Sequence, residues 1–253
     1  MARTTKKKPA AQKRTPVKKS TKKQQGWLIF RPVRWLFRWL FRAVLLGVGL
    51  LFLAVVIYGI FDPPTTPYMF TEGRRIGGVD QQWVGIDEIA PVMARSVVAA
   101  EDANYCLHWG FDMAEIRKAL DAGGKRGAST LSQQVVKNVY LWQGRSWARK
   151  ALEAIMTPMV EAVWTKRRIL EVYLNVAEFG EGVFGVEAAA RNFFRVGPGE
   201  LQPWQAAQLA AVLPNPKQRS VKQPTKSLQK RARGIADGAA TILADGRASC
   251  LES

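Results

Sequence analysis

From Ala43 to Phe61 the chain reads AVLLGVGLLFLAVVIYGIF, 19 residues without a single charge, and no other segment restricts the fold as much. Wound as an α-helix it extends about 28 Å, close to the ~30 Å hydrocarbon thickness of a bilayer. A helix of this length in a soluble core would carry a polar stripe, and this one has none. Residues 43–61 are therefore expected to form one transmembrane helix. Trp27, Trp35 and Trp39 alternate with Arg31, Arg34, Arg38 and Arg42 just before it, the aromatic and guanidinium mixture suited to a headgroup interface.

The charge distribution supports the same reading. The 253 residues carry 38 Lys+Arg against 20 Asp+Glu, a net charge of +18, which raises the question of nucleic-acid binding. Residues 1–42 hold 14 of the basic residues and no acid. By the positive-inside rule they form a cytoplasmic tail and put residues 62–253 on the other side. Residues 1–25 have almost nothing to bury and are expected to be disordered. A cleaved signal peptide would have a shorter charged region and a small-residue cleavage site after Phe61; the chain instead runs into the Pro-rich segment 62–67, which reads as a spacer. Residues 217–253 carry 8 more basic residues against Asp237, Asp245 and Glu252 and read as a basic C-terminal extension, helix-compatible from Lys217 to Arg233 and expected to cover the domain or approach lipid headgroups. Between 62 and 216 remain 16 basic and 17 acidic residues, a nearly neutral body with the length of one domain. No nucleic-acid partner is expected.

The residue inventory narrows the chemistry. With His108 alone, no Ser-His-Asp triad forms without it and no multi-His zinc site exists. Cys106 and Cys250 are too few for a metal knuckle. Both fall on the outer side of the expected topology, where they are candidates for one disulfide. Acid–base work is left to carboxylates and lysines.

Residues 68–90 suggest only short strands, around Arg74–Ile76 and Gln82–Ile86. A helix is expected from Pro91, with Met93, Val97 and Ala100 at i, i+4 and i+7. Glu101 lies at the end of that apolar face, where burial would raise its pKa toward that of a general base or acid; pairing with a buried cation is the alternative. The segment Gly123–Gly127 reads as a flexible basic loop. Thr130 with Gln133 three residues on forms a capping-box signature, so a helix should start there. Its first-turn amides, Ser129, Thr130 and Lys137 would suit a phosphate. Arg149 and Lys150 stand four and three residues before Glu153, ordinary helix-surface spacing. That helix should bend at Pro158 and give way to another near Thr165, whose first turn holds Lys166, Arg167 and Arg168. Cations oppose the dipole there and call for an anionic neighbour or a membrane.

In chain order, Glu101-Asp102-x-x-Tyr105-x-x-His108-x-Gly110, then Gly127-Ala128-Ser129-Thr130-Leu131-Ser132-Gln133-Gln134 with Lys137-Asn138, then Arg149-Lys150-x-x-Glu153, then Lys166-x-x-Ile169-Leu170-Glu171-x-Tyr173-Leu174-Asn175 resembles the peptidoglycan glycosyltransferases of glycosyltransferase family 51. The likeness runs from about residue 67 to 216. Asn175–Gly180 and Phe184–Ala190 are similar to the monofunctional biosynthetic peptidoglycan transglycosylases within it. A bifunctional relative would add a transpeptidase domain, and none is expected here.

The resemblance implies a mainly α, lysozyme-like glycosyltransferase domain with a small membrane-proximal jaw, over residues 68–216. It implies polymerisation of lipid II into β-1,4-linked glycan with inversion, at the periplasmic face of the bacterial inner membrane. Glu101 would be the general base and Glu153 a second important glutamate, better suited to positioning cations than to proton transfer. Ser129, Thr130, Gln133, Gln134, Lys137, Arg149, Lys150 and Asn175 are the expected substrate-binding residues. A divalent cation, Mg or Mn, on the pyrophosphate is implied, although no acidic ligand cluster shows in the sequence. Implied partners are lipid II, the growing strand, membrane lipid, and division-complex or penicillin-binding proteins. His108 is expected to be a structural polar bridge. Ser132 stands where many relatives have Thr, and Gln205 where they usually have Glu, the second read as a packing or hydrogen-bond difference. A lysozyme-like hydrolase or lytic transglycosylase is the competing enzyme class, and a membrane-anchored scaffold the non-enzymatic one.

Overall fold

A computed structural model describes residues 25–123, 127–144 and 146–251, with side chains described from Val33 onward. Of the tail expected to be disordered over residues 1–25, residues 1–24 lie outside the described residues and Gln25 is helical; the Gly124–Arg126 part of the basic loop and the side chains of Trp27 and Arg31 also lie outside them.

Helix α1 spans Gln25–Ile60, and its portion Val33–Ile60 is long and apolar enough to cross a membrane, with a mean hydropathy of 2.7. The chain separates into one unit ending at Leu50 and a second, compact unit from Leu51 onward. In the second unit follow α2 (Pro67–Ile76), β1 (Asp80–Gln81), α3 (Pro91–Glu101), α4 (Met113–Asp121), α5 (Leu131–Tyr140), α6 (Trp147–Val163), α7 (Lys166–Val176), β2 (Glu178–Gly180), β3 (Val183–Phe184), α8 (Val186–Phe194), α9 (Pro203–Val212) and α10 (Lys226–Asp245). The mainly helical class is as the sequence suggested. A small sheet runs in the order β1-β3-β2, with β1 parallel and β2 antiparallel to β3.

Two helical layers make the core. α3, α9 and α10 pack on one another, and α5 packs on α6 and α7. Met93, Val97 and Val98 of α3 are fully buried, as are Val135 and Val136 of α5 and Ile169 and Leu170 of α7.

Three expectations about this unit are corrected. Arg74–Ile76 is the end of α2, because Thr66 caps its start by accepting from Met69 N at 3.1 Å, Pro67 opens its first turn, and Gly77 closes it at φ +88°. Gly77, just after Ile76, is a helix stop. The second expected strand is displaced, since β1 ends at Gln81 and Ile86–Glu88 is a 3-10 turn. Residues 62–67 do not act as a free spacer: Pro63 and Thr66 are buried and Asp62 pairs with Arg168 Nη1 at 2.8 Å. The same guanidinium donates to the carbonyl oxygens of Tyr58 and Phe61, and Trp164 Nε1 donates to Val55 O at 2.7 Å, so the last turns of α1 are packed into the unit.

The largest departure is at the C-terminal side. Residues 217–253, read as an extension, contain α10, whose Leu228, Ala232, Ile235, Ala239 and Ile242 form a buried stripe at alternating spacings of four and three. The domain therefore continues past residue 216. Cys250, in the turn Ser249–Leu251, is disulfide-bonded to Cys106 across 144 residues. The first-turn cations of α7 meet anionic partners, Lys166 with Glu161 at 2.8 Å, Arg167 with Asp87, and Arg168 with Asp62 and Glu171. α6 runs through Pro158 to Val163, and α7 begins after the cap at Thr165.

Closing a loop of this length restricts the unfolded chain and contributes about 2–4 kcal/mol. Replacing both cysteines by Ala is expected to lower the melting temperature by roughly 5–15 °C, read by circular dichroism. An unchanged melting temperature would show that the bridge adds nothing to folding.

Candidate active site

The site begins at the junction of α3 with α5. Asp102, the residue after α3, is buried and accepts from His108 at Oδ1 (2.9 Å) and from Leu131 N, the first amide of α5, at Oδ2 (2.9 Å). Three further bonds fix the same helix start. Thr130 accepts from Gln133 N and Gln133 returns its side-chain oxygen to Thr130 N at 3.1 Å, closing the capping box, while Thr130 Oγ1 donates to Gly110 O at 2.7 Å. Gly110 sits at φ +80°, and a Cβ there would lie 2.8 Å from Thr157 Cγ2, so only glycine lets the loop approach α6.

With α3 and α5 locked together, Glu101 reaches α5 one turn inside. Its Oε2 accepts from Gln134 Nε2 at 3.0 Å. Its Oε1 is buried and, among the described residues, has no hydrogen-bond donor; the nearest cation is Arg231 Nη2 of α10 at 3.6 Å. Burial raises the Glu101 pKa, and the Gln134 bond and then the charges of Arg231, Lys137 and Arg219 oppose that rise. Lys137, one turn along α5 from Gln134, forms no ion pair with any described residue. Burial and the neighbouring Arg149 lower its pKa, against the opposing pull of Glu101.

Cavities open on both sides of the Glu101–Gln134 bond. One of about 340 Å³ is lined by Glu101, Asp102, Ser129 and Thr130; another of about 220 Å³ is lined by Gln134, Lys137, Tyr173, Tyr68, Asn215 and Lys217.

A second cluster stands on α6, capped by Ser146. Glu153 is buried, with Arg149 on one carboxylate oxygen and Lys150 Nζ on the other at 2.8 Å. Lys150 also donates to Ser129 Oγ at 3.2 Å, and its pKa is lowered by burial, then by Arg149 and Lys137. Arg149 thus lowers the pKa of both lysines and Lys137 lowers that of Lys150, while Glu153 is the ion-pair partner of Arg149 and Lys150 among the described residues. Such a group is short of negative charge, and an anionic ligand would relieve it.

A family model described as transglycosylase matches residues 71–240. The chain belongs to the transglycosylase family. It is 59% identical over 215 residues to a biosynthetic peptidoglycan transglycosylase of Jannaschia sp. (strain CCS1), covering 85% of this chain and 90% of that one. Similar proteins of the same description occur in Xanthomonas axonopodis pv. citri (strain 306), 48% identical over 80% of this chain and 86% of the relative, and in Caulobacter vibrioides, 44% identical over 78% and 88%.

In this transglycosylase the fold brings Glu101, Gln134 and Lys137 together, and Ser129, Arg149, Lys150 and Glu153 beside them. Thr130 lines the cavity with its hydroxyl already committed. Two of the expected substrate-binding residues do not face the groove. Gln133 is buried, its oxygen taken by the Thr130 amide. Asn175 is fully buried: Nδ2 donates to Val84 O and Glu171 O, and Oδ1 accepts from Val84 N, all at 2.9 Å, so its amide ties α7 to the extended segment after β1. Gln205 keeps the local bond a Glu would make, accepting from Gln202 N at 2.8 Å as a cap of α9. Arg231 and Tyr173 were not singled out from the sequence. Arg231 adjoins Ala232 and Leu228 of the buried stripe, a periodicity hidden by treating the segment as a charged tail.

Asn175→Ala leaves both the N–H and the C=O of Val84 unpaired in the interior and is expected to lower stability by about 2–4 kcal/mol. Chemical denaturation checks this, and the folded fraction should keep its KM; a raised KM at unchanged stability would return Asn175 to the binding surface.

Proposed function

We propose that this transglycosylase polymerises glycan strands from lipid II, with Glu101 as general base and Lys137, Arg149 and Lys150 facing the donor pyrophosphate. The observation that carries the reading is a buried carboxylate that has, among the described residues, one oxygen free of hydrogen-bond donors, set near Lys137 and near Arg149 and Lys150, whose shared ion-pair partner is Glu153. The acceptor 4-hydroxyl loses its proton to Glu101 as its oxygen bonds to the anomeric carbon. The anomeric C–O bond to phosphate breaks, and its electron pair leaves on undecaprenyl pyrophosphate. A pyrophosphate leaving group needs charge neutralisation more than a proton, which suits fixed cations. Glu153, saturated by Arg149 and Lys150, holds those cations in place and has no free oxygen for proton transfer.

A hydrolase or lytic enzyme would need an acid for a sugar alkoxide and would gain nothing from the cation cluster. Among the described residues no group of three or more His, Cys, Asp or Glu could hold a metal, and the one carboxylate beside the cations is engaged. These residues do not suit a protein-held Mg or Mn ion. The basic residues before α1 support an N-terminus in the cytoplasm and a catalytic unit on the periplasmic side of the inner membrane.

Glu101→Gln is expected to reduce polymerisation of purified lipid II by ~10²–10⁴-fold while leaving the melting temperature unchanged. Cleavage of preformed glycan without polymerisation would support the hydrolase instead. Because burial raises the Glu101 pKa, the base is ionised only above that raised value. The rate should therefore rise with pH through a midpoint above the ordinary Glu value of about 4.3, measured from kcat/KM against pH. Lys137→Met is expected to lower kcat by roughly 10²–10³-fold, as loss of an oxyanion-stabilising group does in other enzymes, and a change confined to KM would move Lys137 out of the transition state.

A further inference from the structure

Glu101 is held by a polar chain that continues behind it. Gln134 Nε2 donates to Glu101 Oε2 at 3.0 Å, and Gln134 Oε1 accepts from the Tyr173 hydroxyl at 3.2 Å. The direction of this chain follows from chemistry. An ionised carboxylate offers only acceptors, so Gln134 must turn its NH₂ toward Glu101 and its carbonyl oxygen toward α7. Tyr173 must then donate. Its ring is 2% exposed, fixed between α5 and α7, and burial together with the Glu101 charge raises the phenol pKa, so the proton stays on the oxygen.

We infer that Tyr173 is a positioning residue for the reaction: by fixing the Gln134 amide it commits Glu101 Oε2 to a hydrogen bond and leaves Oε1 as the atom that takes the acceptor proton. The assignment rests on the reading of Glu101 as the base. Oε1 fits the role because, among the described residues, it has no hydrogen-bond donor and faces only the Arg231 guanidinium at 3.6 Å, and it belongs to a residue lining the larger cavity. In the step itself, the acceptor O–H proton passes to Oε1, the O–C bond forms and the C–O bond to pyrophosphate breaks; Oε2 keeps its bond to Gln134 throughout. Without the Tyr173 hydroxyl the Gln134 carbonyl oxygen loses its donor, the carboxylate alone orients the amide, and the bond from Gln134 to Glu101 is held less firmly. The groups facing Glu101 are Gln134 and Lys137 from α5, Arg231 from α10, Arg219 from the segment after α9, and Tyr173 through Gln134 from α7; of these, Tyr173→Phe frees only the amide.

The test uses the full chain in detergent with lipid II. Tyr173→Phe keeps the ring and should lower kcat about tenfold, the worth of roughly one hydrogen bond, with KM within about twofold. Because the donor to the ionised form of Glu101 is then held less firmly, the Glu101 pKa rises and the acid limb of the rate profile moves to higher pH. An unchanged kcat and profile overturn the inference, and so does a lower kcat with an unmoved acid limb, the pattern of a merely structural tyrosine. A measurement on the unaltered protein covers the case in which the variant fails to fold. The ¹⁵N-edited signal of the Gln134 side-chain amide should titrate with the midpoint of the acid limb, and a pH-independent signal overturns the assignment. Full activity of Glu101→Gln would instead remove the base reading beneath it, whereas an inactive Glu101→Gln beside an unaffected Tyr173→Phe removes only the role given to Tyr173.

Discussion

The carboxylate of Asp102 joins the end of one helix to the beginning of another, and the catalytic geometry hangs on that joint. One oxygen receives the first amide of α5 and the other receives His108. A helix start has unpaired N–H groups and favours a negative partner, so the bond combines hydrogen bonding with dipole compensation. Once α3 and α5 are so joined, Glu101 can only face the side of α5 that carries Gln134 and Lys137. The joint also explains a lone histidine in a site that makes no use of imidazole chemistry: His108 satisfies the second oxygen of a buried carboxylate.

The groove shows a consistent charge economy. Each glutamate in it is matched differently. Glu153 has both oxygens engaged by cations and is fixed as an anion. Glu101 has one amide donor and a cation at 3.6 Å, too little to cancel its desolvation, and stays able to accept a proton. Two carboxylates of the same type thus receive different tasks from their surroundings. Lys137 stands between the two environments and, among the described residues, forms no ion pair.

Much of this was legible along the chain because the deciding signals are local. Pro91, the Thr130/Gln133 pair and Thr165 announce three helices within four residues of their starts, and the apolar period before Glu101 places it at the end of a buried face. What escaped depends on partners remote in sequence. Asn175 lies in a motif and reads as functional, yet its bonds go to Val84, 91 residues away. α2 was misread because a left-handed glycine stop and a strand boundary look alike in one dimension. The segment of α10 reads as a helix-compatible basic extension rather than as core, because counting charge over residues 217–253 averages away a stripe that appears only when the residues are spaced as a helix. Arg231, close to Glu101 in space and 130 positions from it, went with that segment.

The single disulfide has a consequence for how the chain is made. Cys106 leaves the ribosome 144 residues ahead of Cys250, and the helix that carries Arg231 lies between them. During that interval the thiol next to the catalytic turn has no intrachain partner. Since the chain contains only these two cysteines, oxidation within one molecule has a single outcome, and no isomerase is needed to choose among pairings. The only wrong bond available is to another molecule. Errors in maturation would therefore take the form of intermolecular adducts through Cys106, and molecules without them would carry the native bridge or none.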